Sequence, residues 1–207
     1  MPSRYATKEL SPKTWPDFQR LFTQGNGWDF CWCMHFQRDR SPSGHNQLPR
    51  AQRSVRNRRD KRELVAAGRA HGILVYDRSE PVGWCQYGLR EELPRPDRNR
   101  NYRDRPSDRK SWRITCFVVH KNYRRRGVAG TALRAALASI RKQGGGLVEA
   151  FPILNWNHLR RSELQRRGRA PSFGNISTGG TVSMFAKHGF QRIAPFGAIH
   201  VLMRKTV

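Results

Sequence analysis

The length, composition and charge of the chain bound what it can be. Its 207 residues fit one domain with insertions, and 37% hydrophobic with 10% aromatic residues exclude wholesale disorder. No apolar run approaches the roughly 18 residues that a membrane helix needs, so a cytoplasmic protein without membrane contact is expected. The net charge of +25 attracts nucleic acid, a polyphosphate cofactor or an acidic partner, although a solvated arginine-rich surface explains it equally well.

The first third of the chain predicts one strand and two helices. Residues 5–10 alternate polar and apolar side chains, as a short strand does. Ser11 and Pro12 resemble an N-cap followed by proline in the first turn, so a helix is predicted to open there and to end at 25–27, which holds two glycines. Residues 51–67 predict a second, basic helix.

Four cysteines do not read as a disulfide framework. Cys85 and Cys116 lie inside apolar, strand-like runs, where a free thiol packs as a small hydrophobe. Cys31, Cys33 and His35 are close in sequence, but a structural zinc site needs four ligands and no second pair lies nearby. Core packing is therefore the better interpretation, and no metal site is expected.

The middle of the chain predicts a hairpin followed by an irregular insertion. Residues 72–76 and 82–87 are apolar runs separated by turn residues. Residues 89–111 are rich in proline, arginine and aspartate. A segment of this length without regular structure is either a functional loop or a disordered surface insertion, and the sequence leaves both open.

The last part of the chain contains its clearest pattern. Residues 113–119 predict a strand, and apolar residues at three- and four-residue steps then predict a helix that ends at the glycines of 144–146. Residues 147–151 return as a strand, so this strand–helix–strand unit favours parallel pairing or a splayed variant of it. A basic helix or loop at 157–169, a short helix at 181–187 and two final strands complete the prediction.

The segment between the strong strand and the strong helix points to an anion site. Gly127 permits a tight turn, and the small residues Ala129 and Gly130 let a ligand approach the main chain. The first turn of a helix has amide groups without intrahelical partners at the positive end of its dipole. Arg124 and Arg125, with the neighbouring Arg126, add charge for phosphate.

This segment resembles the acetyl-CoA-binding motif of the GNAT superfamily, R/Q-x-x-G-x-G/A after a strand that ends in Val-Val. Arg124, Gly127 and Ala129 occupy the three signature positions. The stretch 81–84 (Pro-Val-Gly-Trp) resembles the family's Val-Gly strand, and 184–190 (Met-Phe-Ala-Lys-His-Gly-Phe) resembles its Leu-Tyr-Glu-Lys-x-Gly-Phe close. The resemblance covers about 73–207 apart from the insertion.

The resemblance implies one GNAT-like domain over 1–207, a mixed α/β fold with a central six- to seven-stranded mixed sheet and flanking helices. It implies an acetyltransferase that moves an acetyl group directly from acetyl-CoA to a bound amine. The implied cofactor-binding residues lie on the strand, the loop, the helix start and the next strand's end. They are Phe117, Val118, Val119, Arg124, Arg125, Arg126, Gly127, Val128, Ala129, Gly130 and Asn155.

The chain departs from the family at its usual catalytic groups. Phe185 stands where many members have a tyrosine acid, and Arg113 stands where some have a glutamate base. By position, the remaining catalytic candidates are Glu149 and Ser183. Even so, Glu149 reads better as a structural partner of arginine, and His120 at the strand end reads better as a solvated loop residue.

Three functions remain open from the sequence. The first is an enzyme that acetylates a primary amine of a small molecule, a protein lysine or an N-terminus. The second is a nucleic-acid-associated acetyltransferase, acting on aminoacyl-tRNA or a nucleoid protein, which the charge favours. The third is an acetyl-CoA-binding regulator without turnover. A homodimer is also left open.

Overall fold

A computed structural model describes residues 4–40, 42–103, 110–154, 157, 161, 165, 168 and 178–207 of the protein. Seven strands form one sheet in the order β1-β2-β3-β4-β5-β7-β6. The strands are β1 (Ala6–Glu9), β2 (His71–Asp77), β3 (Glu80–Leu89), β4 (Ser111–Val119), β5 (Leu147–Ala150), β6 (Gln191–Phe196) and β7 (His200–Thr206). The predicted mixed α/β class and the size of the sheet are confirmed.

The strand–helix–strand unit forms the parallel pair of the sheet. β4 and β5 run parallel over the register Ser111↔Leu147 to Ile114↔Ala150, whereas the other neighbouring strands are antiparallel. Beyond Ile114 the register between β4 and β5 ends. There the amide of Phe117 donates to the carbonyl of Thr178 instead, so β4 continues without β5 at its side.

Five helices flank the sheet among the described residues. They are α1 (Trp15–Thr23), α2 (Arg50–Ala66), α3 (Arg100–Arg103), α4 (Val128–Lys142) and α5 (Val182–Lys187). α4 and α5 share a core with residues of every strand from β2 to β5 and of β7, which we call the α4 face. α1, α2 and the loop between them cover the opposite side of β2, β3 and β4, which we call the α1 face.

The first helix starts later than the sequence predicts. Thr14 closes a turn with the residues before it: its amide donates to the Ser11 carbonyl (3.1 Å), and its hydroxyl donates to the Glu9 carbonyl (2.8 Å). Thr14 therefore takes the N-cap position, and Pro16 rather than Pro12 lies in the first turn, where a missing amide hydrogen costs nothing.

The described part of the insertion at 89–111 is ordered against the sheet. It forms two short 3₁₀ turns and then α3, and Leu93 and Tyr102 are buried. Asp97 in the second turn accepts two hydrogen bonds from the guanidinium of Arg113 on β4, at 2.7 and 2.8 Å. Residues 104–109 and most of the predicted element at 157–169 lie outside the described residues.

The cysteines pack as side chains of the interior. Cys33, Cys85 and Cys116 are buried, and the Cys33 and Cys116 sulfurs lie 2.9 Å apart as free thiols. Within the described ranges no three His, Cys, Asp or Glu side chains are grouped to hold a metal ion. Nor does any helix in those ranges combine the length and apolar character needed to cross a bilayer.

Candidate functional site

The loop between β4 and α4 presents backbone amides to a cavity. Gly127 is the N-cap of α4 with a left-handed φ of +83°, and its carbonyl accepts the first helical hydrogen bond from Thr131 (3.0 Å). Gly127 has no side chain with which to cap the helix. The first-turn amides of Val128, Ala129 and Gly130 therefore lie at the positive end of a 15-residue helix, beside open space.

The cavity has a volume of about 670 Å³, within the range of cofactor sites. It lies between the end of β4, the start of α4 and one side of α5. A β-carbon at Gly127 would meet no atom within 4 Å, so the space beside the helix start is open. At Gly83 on β3 a β-carbon would lie 2.3 Å from Val128, so this glycine lets α4 start close to the sheet.

Nine of the eleven predicted cofactor-binding residues line this cavity. They are Phe117, Val118, Val119, Arg124, Arg125, Gly127, Val128, Ala129 and Gly130. Arg126 is exposed, and its guanidinium lies 5.7 Å from the ring centroid of Tyr123 rather than in the lining. Asn155 lies outside the described residues.

The backbone of the Arg-rich loop is strained at one position. Arg125 has a φ of +64°, a conformation that costs a non-glycine residue about 1 kcal/mol or more. His120, at the end of β4, is a local cap: its Nδ1 accepts from the Asn122 amide at 3.3 Å. The loop is thus held by its own contacts, while Arg124 and Arg125 line the cavity.

The splay of β4 and β5 exposes one edge of β4 to the cavity. Phe117 already donates its amide to Thr178 on this side. Residues two apart in a strand direct their backbone groups to the same side, so the groups of Val119 also point away from β3. Val119 is therefore the residue of β4 best placed to pair with an extended ligand.

Several residues of the lining are not among the predicted site residues. Trp28 reaches the cavity from the loop after α1, and Tyr123, Thr181, Lys187 and His188 also line it. His188 Nδ1 lies 2.8 Å from the Met184 carbonyl, and since a carbonyl only accepts, this nitrogen carries the hydrogen. Lys187 and His188 belong to the closing motif 184–190, so that motif could have suggested them, whereas nothing near Trp28 could.

The two family positions that the chain has replaced are structural. Phe185 is fully buried in the α4-face core, with its ring 6.0 Å from that of Phe117 and 5.0 Å from that of Phe190. Arg113 is also fully buried and pairs with Asp97 and Glu149. Neither side chain can exchange a proton with a ligand in the cavity.

The placement of Glu149 does not support the role of a catalytic base. Its neighbours Val148 and Ala150 pack with α4, so Glu149 points to the opposite face. There it is fully buried, accepts from the Tyr102 hydroxyl (2.6 Å) and pairs with Arg204 (2.9 Å). Both carboxylate oxygens are occupied and neither reaches the cavity, so the sequence-based assignment is corrected to a buried ion-pair centre.

Asp97 completes this buried network. Burial alone would raise the pKa of Asp97, but the hydrogen bonds and charge of Arg113, with Arg90 beside it, outweigh burial and lower the pKa. The network therefore places two carboxylates among three arginines. Its geometry fixes the register of β4 against β5 and β7. It does not position a reacting group.

Ser183, the second catalytic candidate, does line the cavity. It is exposed in the first turn of α5, and its Oγ lies 3.2 Å from the Oγ1 of Thr181. Thr181 is the N-cap of α5 and accepts from the Met184 amide at 3.2 Å. The described lining contains no aspartate or glutamate, so hydroxyl and cationic groups supply its polar chemistry.

A mixed sheet that splays beside an open helix start offers a free strand edge and an anion site to an extended, phosphate-bearing ligand. The sequence profile of the Acetyltransferase (GNAT) family matches residues 9–167. The chain therefore belongs to the GNAT acetyltransferase family, which confirms the resemblance and the acyltransferase class. Acetyl-CoA is the acetyl donor of this family.

Solved structures show the same fold. The PaiA N-acetyltransferase from Thermoplasma acidophilum in complex with coenzyme A is 11% identical with a TM-score of 0.53, covering 98% of this chain and 99% of that one. An acetyltransferase from Thermus thermophilus is 16% identical with a TM-score of 0.51, covering 98% and 97%. The ribosomal-protein-S5-alanine acetyltransferase from Vibrio fischeri is 11% identical with a TM-score of 0.51, covering 100% and 94%. No curated protein sequence matches the chain.

Proposed function

We propose that this acetyltransferase moves an acetyl group from acetyl-CoA directly to a primary amine of a small molecule or a protein. The observation that carries the proposal is the cavity at the start of α4, with open amides at Val128–Gly130 and two arginines at its mouth. These groups would hold the pyrophosphate, and the backbone of Val119 would pair with the pantetheine arm. Acetyl-CoA supplies an activated thioester, so the chain's task is to position reactants and manage protons.

The charge of the lining favours a neutral amine. An ordinary ammonium group with a pKa near 10.4 is deprotonated in only about one molecule in 2,500 at pH 7, a cost of roughly 4–5 kcal/mol. The pyrophosphate would balance Arg124 and Arg125, but Lys187 also lines the cavity, and no described carboxylate there balances its charge. This positive potential destabilises the ammonium form and lowers the pKa of a bound amine, so that its proton passes to water.

Ser183 is the group that we assign to the leaving sulfur. It lies two residues before Phe185, which replaces the family's usual tyrosine, and its hydroxyl is exposed to the cavity. A hydroxyl cannot be as strong an acid as a phenol, but it can donate a hydrogen bond to sulfur as negative charge develops there. Thr181 accepts the capping hydrogen bond of α5, and its own hydroxyl can donate to Ser183 Oγ at 3.2 Å, which leaves the Ser183 hydrogen for the sulfur.

The proposal is tested by following free CoA in the presence of a panel of primary amines and peptides. Amine-dependent CoA release and an acetylated acceptor of the expected mass are the predicted results. Firm binding of acetyl-CoA without release over a broad panel would contradict the proposal and would favour a regulator that only binds the cofactor. Binding of RNA with a steep dependence on salt would instead direct the panel toward aminoacyl-tRNA.

A further inference from the structure

A second, smaller cavity lies beneath the loop between α1 and α2. Its volume is about 90 Å³, the space of about three water molecules, which suits one small polar group. Three arginines line it: Arg38 from the loop, Arg53 from α2 and Arg95 from the turn after β3. None of its described lining residues is acidic.

Two of these arginines lack a carboxylate that would neutralise them inside the cavity. Arg38 is satisfied, because it contacts Asp60 and donates to Asn57 Oδ1 at 2.6 Å. Arg53 has a buried Nε that no described residue accepts from, and its guanidinium lies over the Phe30 ring at 5.2 Å. Burial, and after it the charge of Arg98, lower the pKa of Arg95 by more than the nearby Asp39 and Cys31 raise it.

His45 supplies an independent sign of an absent ligand. It lines the same cavity with only 6% of its surface exposed, and its Nδ1 meets no hydrogen-bond partner among the described residues. Buried polar atoms in native proteins are almost always paired, and an orphan requires an explanation. An anion seated between Arg53, Arg95 and His45 would satisfy the ring nitrogen and both guanidinium groups.

Two stacked aromatic side chains connect the linings of the small and the large cavity. Phe30 lines the small cavity, and Trp28 lines the large one. Their ring centroids are 6.1 Å apart in a stacked arrangement. A molecule with its amine in the large cavity could extend along this ring pair and place an anionic group in the small one.

We propose that the small cavity binds a carboxylate or phosphate group of the acceptor, so that the favoured acceptors are amines that also carry an acidic group. The role as an acceptor subsite rests on the function proposed above, whereas anion binding by Arg53, Arg95 and His45 does not. A guanidinium can donate two parallel hydrogen bonds to a carboxylate or to a phosphate, so the chemistry of this cavity suits both groups.

The first experiment measures anion binding without catalysis. Inorganic phosphate and acetate are titrated calorimetrically into protein saturated with CoA, which occupies the loop before α4. One site per chain is expected for at least one anion, weakened about ten- to hundred-fold in the double variant Arg53→Gln/Arg95→Gln. Arg62→Gln removes the same charge from an exposed position of α2 and should bind as the wild type does. No saturable site, or equal affinity in the double variant and the control, would overturn the proposal.

Two provisions keep this experiment decisive. If the double variant does not fold, the single variants Arg53→Gln and Arg95→Gln are measured instead, and each should weaken anion binding about ten-fold. Wild-type anion affinity in both single variants would overturn the proposal. If CoA itself does not bind, the proposed function fails, and the anion titration is repeated in the Gly127→Val background to remove the loop's contribution. The two failures are thereby separated.

The second experiment compares matched amines with and without an acidic group, such as cadaverine with lysine and ethanolamine with phosphoethanolamine. In at least one pair, the acidic member should have a KM lower than that of its partner by about ten-fold or more. The pair that shows this difference identifies carboxylate or phosphate as the preferred group. The double variant Arg53→Gln/Arg95→Gln should abolish this preference, while the amines without an acidic group keep their kinetic constants. Equal use of both members by the wild type would contradict the proposal.

Discussion

The two faces of the central sheet meet their helices through different kinds of side chain. On the α4 face the helix α4 contributes only aliphatic and small side chains to the hydrophobic core, and Gly83 lets the helix start approach the sheet. On the α1 face the core is built from large rings, among them Trp32 and Trp84, and it encloses polar groups including the fully buried Lys61. The contrast teaches that the helix beside the proposed acetyl-CoA site offers its backbone and small side chains, whereas the face nearer the proposed acceptor site relies on specific side chains.

The largest effect is expected from valine at the helix start of the α4 face. Gly127 and Gly68 both have left-handed φ angles, +83° and +67°, and neither has an atom within 4 Å of an ideal β-carbon. Valine therefore imposes a similar backbone strain of about 1–2 kcal/mol at both. Only the valine at 127 enters the cofactor cavity, so Gly127→Val should weaken acetyl-CoA binding about hundred-fold or more.

Calorimetric titration of both variants with acetyl-CoA checks this expectation. Gly68→Val should retain the wild-type affinity, since position 68 follows α2 and is absent from the cavity lining. Similar affinities in the two variants would mean that the phosphates do not bind at the start of α4.

The next effect concerns the buried ion network on the side of β5 opposite α4. Glu149→Gln leaves Arg113 and Arg204 without their shared carboxylate, and removal of one partner from a buried pair costs about 3 kcal/mol. Urea unfolding should show this loss, while turnover per folded molecule is unchanged between pH 6 and 9. A loss of turnover of a hundred-fold at normal stability would restore Glu149 as a catalytic base.

The buried Lys61 on the α1 face should make the free energy of unfolding depend on pH. Burial lowers its pKa from 10.5 to about 8, although the nearby thiols oppose the shift. The unfolded chain then binds more protons than the folded one between pH 8 and 10.5, so stability rises with pH across that window and is lowest below pH 8. Lys61→Met should remove this rise and stabilise the protein at pH 7 by about 2 kcal/mol.

The control for this prediction is Lys142→Met, which changes an exposed lysine at the end of α4. Its stability curve should follow the wild type through pH 8–10.5. If Lys61→Met and Lys142→Met give parallel curves, the buried lysine titrates normally and the contrast between the two faces is weaker than we describe.

The smallest effect is expected at Ser183 on the cofactor side. Ser183→Ala removes a hydrogen bond to developing charge on sulfur and should lower kcat about ten-fold, with acetyl-CoA affinity unchanged. The variant keeps the cap of α5, because that cap comes from Thr181. A wild-type kcat in Ser183→Ala would leave protonation of the thiolate to water.

The sequence predicts those elements whose pattern is local. β4, α4 and α5 lie within two residues of their predicted bounds because alternation, helical spacing and flanking glycines act over a few neighbours. Nine of the residues that the same local unit predicts to bind the cofactor line the large cavity. The start of α1 was misplaced because the turn that delays it depends on the hydroxyl of Thr14 reaching back to Glu9.

The parts that escaped prediction depend on contacts between distant segments. Glu149 resembled a catalytic group until Arg204 and Tyr102, which are 55 and 47 residues away, were seen to hold it. Trp28 reaches the large cavity, and His45 lines the small one with Arg53 and Arg95, only because the loop after α1 folds over the sheet. Side chains of this kind have no periodic signature in one sequence.

The central claim is that the helix start at Gly127 is an acetyl-CoA site, and thermal unfolding with and without acetyl-CoA tests it most directly. A ligand that binds only the native state at a hundred times its Kd adds about 2.7 kcal/mol of stability, so the Tm should rise by several degrees. Gly127→Val should show no rise at the same concentration. An unchanged Tm at millimolar acetyl-CoA, for wild-type protein shown to be folded by circular dichroism, would contradict the account.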